Sequence, residues 1–216
     1  MANYIVSDTN LTAVANAIRT KGGTSEQLEF PDDFVSAIGD IQTGGGGTDT
    51  LAELESNTLT SWTSTATEVG TYLFYQKTAL TSVNYPNATV AGPYCFYNCT
   101  NLTTVNAPKL TSLGSSCFYR CGKLVSLDFP VLGSIPTSAF AGSNIFTTLI
   151  LRKSDSICTL ANTNAFKNTP FASGGTGGTL YVPQDLIASY QSADRWSTIL
   201  GYPNNQIKAI EGSIYE

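Results

Sequence analysis

Three successive segments of this chain are versions of one sentence. LTSVNYPNATVAGPYCFYNCTN, LTTVNAPKLTSLGSSCFYRCGK and LVSLDFPVLGSIPTSAFAGSNI begin at Leu80, Leu102 and Leu124, each 22 residues after the last, and follow one another without a gap. A fixed period of this size means stacked units, each too small to bury its own apolar face. Neighbours must supply the core, so function is expected on a surface and not in a pocket.

Aligning the units separates residues by role. Leu80, Leu102, Leu124 and Phe146 share one column; Val83, Val105, Leu127 and Leu149 share the next apolar one; Tyr85, Ala107, Phe129 and Leu151 share the third. The last two columns lie two residues apart and therefore on one side of a strand. Pro86, Pro108 and Pro130 then stop the strand, since proline has no N–H for a ladder. Beyond the turn an apolar residue (Val90, Leu113, Ile135) leads to a small residue and a phenylalanine, Cys95-Phe96, Cys117-Phe118 and Ala139-Phe140. An aromatic recurring in every unit belongs in the core, so Phe74, Phe96, Phe118 and Phe140 are read as a continuous ladder.

These columns, strand, proline, short turn and then small-Phe-x-x-Cys-x-x-Leu, resemble the BspA-type leucine-rich repeat over about Leu54 to Val182. The resemblance implies a solenoid used for adhesion and recognition, and no catalysis. The fold class expected is a β-rich leucine-rich-repeat solenoid with a short N-terminal helical module and an α/β C-terminal cap. Its divisions are 1–43 for the module, 44–49 for a glycine-rich linker, 50–182 for the solenoid and 183–216 for the cap.

Residues 1–43 have a different texture. Ser7 and Asp8 supply caps for LTAVANAIRTKGG, whose apolar stripe holds Leu11, Val14, Ala15 and Ile18 before Gly22-Gly23 ends it. A second short helix starts at Pro31 and carries Phe34, Val35, Ile38 and Ile41. Helices so short gain most of their stability from packing. A pair beside four consecutive glycines is therefore expected to dock, with Leu11, Val14, Ile18, Phe34, Ile38 and Ile41 as the docking or oligomerisation face. The alternative is a helical cap for the open end of the stack. The segment also resembles an N-terminal module of structural and tail-associated proteins of phages infecting Gram-positive bacteria, which implies attachment to a virion or to copies of itself.

Either side of the clear repeats the pattern loosens. Tyr72, Phe74 and Tyr75 precede Tyr94, Phe96 and Tyr97 by one period, while Trp62 and its neighbours depart from the strand pattern, so Trp62 is expected to plug the first coil. After Phe146, TTLILRKSD gives a strand with Arg152 where proline is expected, and Ala165-Phe166 restores the small-Phe pair four residues late. Such an insertion maps to a surface loop. SGGTGG is no phosphate loop, because a strand, TLYVP, follows it and the Lys-Ser/Thr ending is missing. Pro183 to Trp196 reads as one short helix with Leu186, Ile187 and Tyr190, and Ile207 to Ile210 as a last strand, together resembling the closing segment found after BspA-type repeats.

Composition narrows the chemistry. The chain has 16 acidic and 11 basic residues, no histidine, and a net charge of −5. No Lys/Arg cluster offers phosphates a partner, which argues against nucleic acid. Without histidine the commonest general base and metal ligand is missing. Asp32 and Asp33 suit a helix start and need no acid–base role. MANYIVSDTN lacks the charged and apolar regions of a secretory signal, and no apolar stretch reaches bilayer length. Asn87-Ala-Thr and Asn98-Cys-Thr match a glycosylation acceptor pattern that would matter only after secretion.

Four of the five cysteines stand in repeat columns, Cys95 with Cys117 and Cys99 with Cys121, and Cys158 has no obvious partner. A thiolate zinc site, disulfides between coils, and small buried apolar residues are the three readings. Ala139 and Ser143 in the next unit favour the third. No metal or cofactor is expected, and no catalytic constellation.

Two surface columns remain as candidate receptor sites. One is the outward strand face, Ser82, Asn84, Thr104, Asn106, Ser126 and Asp128; the other is Tyr75, Tyr97 and Tyr119, one residue after each core phenylalanine. Tyrosines with apolar faces and polar tips suit sugar rings or a protein partner. The function expected is a non-enzymatic phage virion protein, tail- or baseplate-associated or decorating, that presents the solenoid to a host-surface glycan or protein. Its partners would be other virion proteins or its own copies through residues 1–43. The rival expectation is a bacterial cell-surface or secreted adhesin of the same repeat type.

Overall fold

The computed structural model describes residues 57–172, 177–200 and 206–216. All of them belong to the unit spanning 44–216. The docking residues Leu11, Val14, Ile18, Phe34, Ile38 and Ile41, and the linker 44–49, lie outside the described residues.

Each coil contributes two short strands, where the sequence pattern predicts one. The first strands are β1 (Ser61–Thr63), β3 (Ser82–Asn84), β5 (Thr104–Asn106), β7 (Ser126–Phe129) and β9 (Thr148–Leu151). The second strands are β2 (Glu68–Val69), β4 (Val90–Ala91), β6 (Ser112–Leu113), β8 (Ser134–Ile135) and β10 (Thr159–Leu160). β11 (Thr179–Val182) and β12 (Ile207–Ala209) complete the set. The second strands form one five-stranded parallel sheet, ordered β10-β8-β6-β4-β2. The first strands divide into β1-β3-β5 and β12-β11-β9-β7, so the ladder along this side is interrupted between β5 and β7.

Register follows the 22-residue period. Ser82, Val83 and Asn84 lie opposite Thr104, Val105 and Asn106, and Ser126 to Phe129 opposite Thr148 to Leu151. Two expectations are corrected here. Trp62 does not sit outside the strand pattern: β1 pairs with β3 and puts Trp62 opposite Val83. Its ring meets Phe74 edge-on at 6.0 Å. Val90 is not the inward residue of its strand. Ala91 pairs with Leu113 and is buried, whereas Val90 pairs with Ser112 and is exposed. A 23-residue step from Val90 to Leu113 had masked this shift, and counting the period strictly restores it.

The phenylalanine ladder forms as the period predicts. Phe74, Phe96, Phe118, Phe140 and Phe166 stack at centroid distances of 5.3, 5.1, 5.8 and 5.2 Å, all fully or almost fully buried. Beside it the backbone of each coil bonds to the next. The N–H groups of Tyr94, Phe96 and Asn98 donate to the carbonyls of Ser115, Cys117 and Tyr119 at 3.0, 2.9 and 2.7 Å. Aiming three alternate N–H groups along one axis requires an unusual chain path. Tyr72, Tyr94, Ser116 and Ser138, and Gln76, Asn98 and Arg120, accordingly sit at φ between 54° and 59°, with Gly142 at 77°. For residues with a Cβ this left-handed region costs energy, so the corner carries strain in every coil.

Gly114 shows how tight the stack is. A Cβ there would lie 2.1 Å from the Pro93 nitrogen of the preceding coil.

The closing segment is two helices, α1 (Ile187–Ser192) and α2 (Asp194–Leu200), preceded by a 3₁₀ turn at Gln184–Leu186, and not the single helix expected. Ala193 separates them with extended backbone. Their side chains bind the last short strand and its approach. The Cys158 N–H donates to the Tyr190 hydroxyl at 2.7 Å, Trp196 Nε1 donates to the Cys158 carbonyl at 2.7 Å, and Arg195 Nη1 to the Leu160 carbonyl at 2.8 Å. Trp196 also packs against Phe166, the last rung, at 5.8 Å.

Phe118→Ala is expected to lower the unfolding free energy by about 3–5 kcal/mol, the usual cost of removing a buried aromatic ring. Gly114→Ala should destabilise as well, because backbone faces its new methyl group. Urea titrations followed by far-ultraviolet circular dichroism check both, and an unchanged midpoint for Phe118→Ala would contradict the ladder.

Candidate functional site: a tyrosine surface at the solenoid corner

The corner that aims its N–H groups along the axis also carries the tyrosines. Tyr75, Tyr97 and Tyr119 stack at 5.0 and 4.7 Å with interplanar angles of 15° and 4°. They are half-buried, not fully outward as alternation suggests. Next to them runs a second lane missing from the sequence-based site. Tyr72 and Tyr94 stack at 5.0 Å and 3°, and Tyr72 is 49% exposed. The lanes touch, Tyr72 against Tyr75 at 5.5 Å and Tyr94 against Tyr97 at 5.8 Å. The Arg120 guanidinium closes the cluster, 5.4 Å from the Tyr119 ring centre.

This geometry changes what the tyrosines offer. Rings stacked on one another cover each other's faces, so a ligand meets their rims and hydroxyls. The rungs recur once per coil, close to the roughly 4.8 Å spacing of hydrogen-bonded strands. What the corner presents is therefore a periodic row of hydrogen-bonding groups on a rigid apolar base, with a cation at one end.

The strand-face candidates are assembled only in part. Ser82 and Asn84 are half-buried, and Thr104, Asn106, Ser126 and Asp128 are exposed. β3 and β5 bring the first four together, while Ser126 and Asp128 belong to the other sheet. Several of these side chains already have partners within the chain. Asn106 Nδ2 donates to Asn84 Oδ1 at 2.6 Å, and Arg152 makes a two-pronged contact with Asp128 at 2.8–2.9 Å. Arg152, standing where a proline is expected, thus ties its strand to the previous coil. Neighbouring threonines do similar work: Thr103 Oγ1 donates to the Thr81 carbonyl at 3.0 Å, and Thr111 Oγ1 to that of Thr89 at 3.0 Å. The strand face is chiefly a mortar between coils.

The cysteines point inward. Cys99 donates to the Phe74 carbonyl at 3.0 Å and Cys121 to that of Phe96 at 3.2 Å, and Ser143 Oγ makes the same bond to Phe118 at 2.9 Å. That shared bond explains why serine can stand in this column. Burial lifts the Cys99 and Cys158 thiols from 9.0 to about 12, and raises Cys117 and Cys121 well above the ordinary value. Such thiols are poor nucleophiles at neutral pH. Among the described residues no group of three or more His, Cys, Asp or Glu side chains is placed to hold a metal ion.

A stack of short parallel strands around an aromatic ladder defines a leucine-rich-repeat solenoid. The chain belongs to the BspA type leucine rich repeat family, whose model matches six copies over residues 54–174, more than half of the chain. Among solved structures it is similar to a leucine-rich repeat protein from Bacteroides ovatus, with 21% identity, TM-score 0.52, and coverage of 71% of this chain and 37% of that one. A leucine rich cell surface protein from Faecalibacterium prausnitzii is also similar, at 21% identity and TM-score 0.46, covering 57% of this chain and 39% of that one. The chain thus spans less than two fifths of either. No curated protein is close enough in sequence to count as a relative.

The raised thiol pKa values predict how reduced protein responds to alkali. The fold favours the protonated thiols of Cys99 and Cys158, so their contribution is complete below pH 9. Between pH 9 and 12 the unfolded chain ionises while the folded one keeps its protons, and stability falls. Buried Tyr85 and Tyr190, whose hydroxyls are also shifted upward by burial, act in the same direction above pH 10. Urea midpoints in reducing buffer should be level below pH 9 and decline above it; Cys99→Ala should shallow the decline.

Proposed function

We propose that this chain is a non-catalytic recognition module of the bacterial cell surface, and that its tyrosine corner binds a linear surface glycan lying along the solenoid axis. The observation that supports this most is the paired lanes of Tyr72 and Tyr94 beside Tyr75, Tyr97 and Tyr119. Tyr72 and Tyr94 occupy left-handed backbone positions at φ 59° and 57°, where Ser116 and Ser138 serve the next coils. Stacking of Tyr72 on Tyr94 stabilises the corner, but serine in the next two coils shows that the stack does not require large, partly exposed aromatics on strained backbone, and strain of this kind gathers at functional sites. The once-per-coil spacing suits a polymer with a repeating hydroxylated unit better than a compact ligand. Rims and hydroxyls supply hydrogen bonds, and the apolar base supplies contact area at low entropic cost.

The virion reading rests on the resemblance of residues 1–43, which lie outside the described residues, whereas the family match lies in the repeats. The bacterial surface is therefore the preferred setting. Residues 1–43, through Leu11, Val14, Ile18, Phe34, Ile38 and Ile41, are proposed to dock the chain to a partner or to its own copies. Docking of that kind would raise weak single-site binding by avidity.

The test is binding of the labelled full chain to Gram-positive and Gram-negative cells and to linear oligosaccharides of increasing length. Tyr72→Ser/Tyr94→Ser and a Tyr75/Tyr97/Tyr119 triple alanine variant serve as probes. Serine already occupies the first column, so the double variant should fold. Loss of at least tenfold in affinity in both, with affinity rising with chain length across the first few sugars, is expected. Folded variants that bind cells as well as the parent would refute the site.

A further inference from the structure

The two thiols of Cys95 and Cys117 meet. Their sulfurs lie 3.1 Å apart, on adjacent coils and in one column, and both residues are fully buried. The backbone beside them is fixed: Phe74 N donates to the Cys95 carbonyl at 2.8 Å and Phe96 N to that of Cys117 at 2.9 Å. Neighbouring hydrogen-bonded coils are about 4.8 Å apart, within the Cα separation of roughly 4.4–6.8 Å that a disulfide needs. We infer that Cys95 and Cys117 are a disulfide site, an oxidisable staple between two coils that is distinct from the tyrosine surface.

The other thiols are arranged differently. Cys99 and Cys121 share a register just as Cys95 and Cys117 do, yet each donates to a phenylalanine carbonyl of the preceding coil. Ser143 repeats that bond, which marks their column as one for a hydrogen-bond donor and not for a sulfur bridge. Cys158 is enclosed by the cap, with its backbone held by Tyr190 and Trp196. In the pairing column the flanking residues are Leu73 and Ala139, so no third thiol competes. An odd cysteine count is then accounted for by one bridge and three structural thiols.

The oxidant is a low-molecular-weight disulfide, of the glutathione type, in an extracellular or refolding medium. One cysteine thiolate attacks it, forms a mixed disulfide and releases one small thiol. The second cysteine sulfur then displaces the other small thiol as the Sγ–Sγ bond forms. Two protons leave the cysteines, their two electrons reduce the external disulfide to two thiols, and the chain gains one bond. Burial, which also raises the Cys117 thiol, makes this slow in the closed stack. Oxidation therefore takes place before these coils close or during their transient opening, and the finished bridge is shielded from reductants.

The experiment is to refold the full chain in a buffer of reduced and oxidised glutathione, and separately in dithiothreitol. Each sample is then quenched in acid, alkylated in denaturant and mapped by mass spectrometry. Oxidised protein should lose the mass of two hydrogens, show three alkylated cysteines where the reduced protein shows five, and yield a Cys95–Cys117 cross-linked peptide. It should also unfold at a higher urea midpoint. Cys117→Ala places the residue of Ala139 in the same column, so it should fold, remain fully alkylatable and lose the midpoint difference. Protein that folds in the glutathione buffer with five free thiols, or a bridge between Cys99 and Cys121, would overturn the assignment. So would an oxidation-dependent midpoint that survives in Cys117→Ala.

Discussion

Everything in this structure depends on holding successive coils in register along one axis. The constraint acts at the corner, where alternate N–H groups such as those of Tyr94, Phe96 and Asn98 all donate to the following coil. That direction is available only because the flanking residues adopt left-handed backbone. The strain is small for one residue but recurs in every coil, and it is offset by burial of the phenylalanine ladder, which contributes a large apolar ring per repeat. Strands of two to four residues would not persist alone. They persist because corner, ladder and strand all impose the same 22-residue step.

A stack that works by neighbour contact has a problem where neighbours end. After β10 no further coil supplies partners for Cys158 and Leu160. Side chains from α1 and α2 do so instead, with Tyr190, Arg195 and Trp196 taking the places of backbone groups. Trp196 closes the aromatic ladder at the same time. The C-terminal cap is thus a side-chain imitation of the missing coil, which is why it can be helical while capping a β-structure.

The period made the core legible: the columns of Leu80, Val83, Tyr85 and Phe96 needed only alignment of three segments. What escaped the reading did so for definite reasons. β4 and β6 are two-residue strands, too short for alternation to register, so the second sheet was invisible and Val90 took the place of Ala91. Trp62 looked foreign because its ring is far larger than the valine opposite it, although the backbone register is ordinary. Left-handed positions carry little compositional mark when Tyr, Gln, Ser and Arg occupy them in place of glycine or asparagine. The Tyr75 column was readable as a repeat, but its exposure was not, because alternation assumes a strand and the corner is not one. Residues 1–43 gave a pattern that lies outside the described residues.

The Tyr72 and Tyr94 lane also sets the corner apart from the strand face. Along the strands, Asn106 bonds to Asn84 and Arg152 to Asp128 across coils, so their identities are explained by cohesion alone. At the corner cohesion asks for something else. A residue at positive φ is best small or an asparagine, and Ser116 and Ser138 meet that demand in two coils. Two coils depart from it with tyrosine, and they are the ones whose neighbours Tyr75 and Tyr97 complete a double lane. The departure coincides with a cluster of stacked, partly exposed tyrosines. Cohesion explains the ladder, the threonines and the asparagines; in this lane the stacking of Tyr72 on Tyr94 adds cohesion between two coils, but serine at the same position in the next two coils shows that the stack does not require an aromatic there.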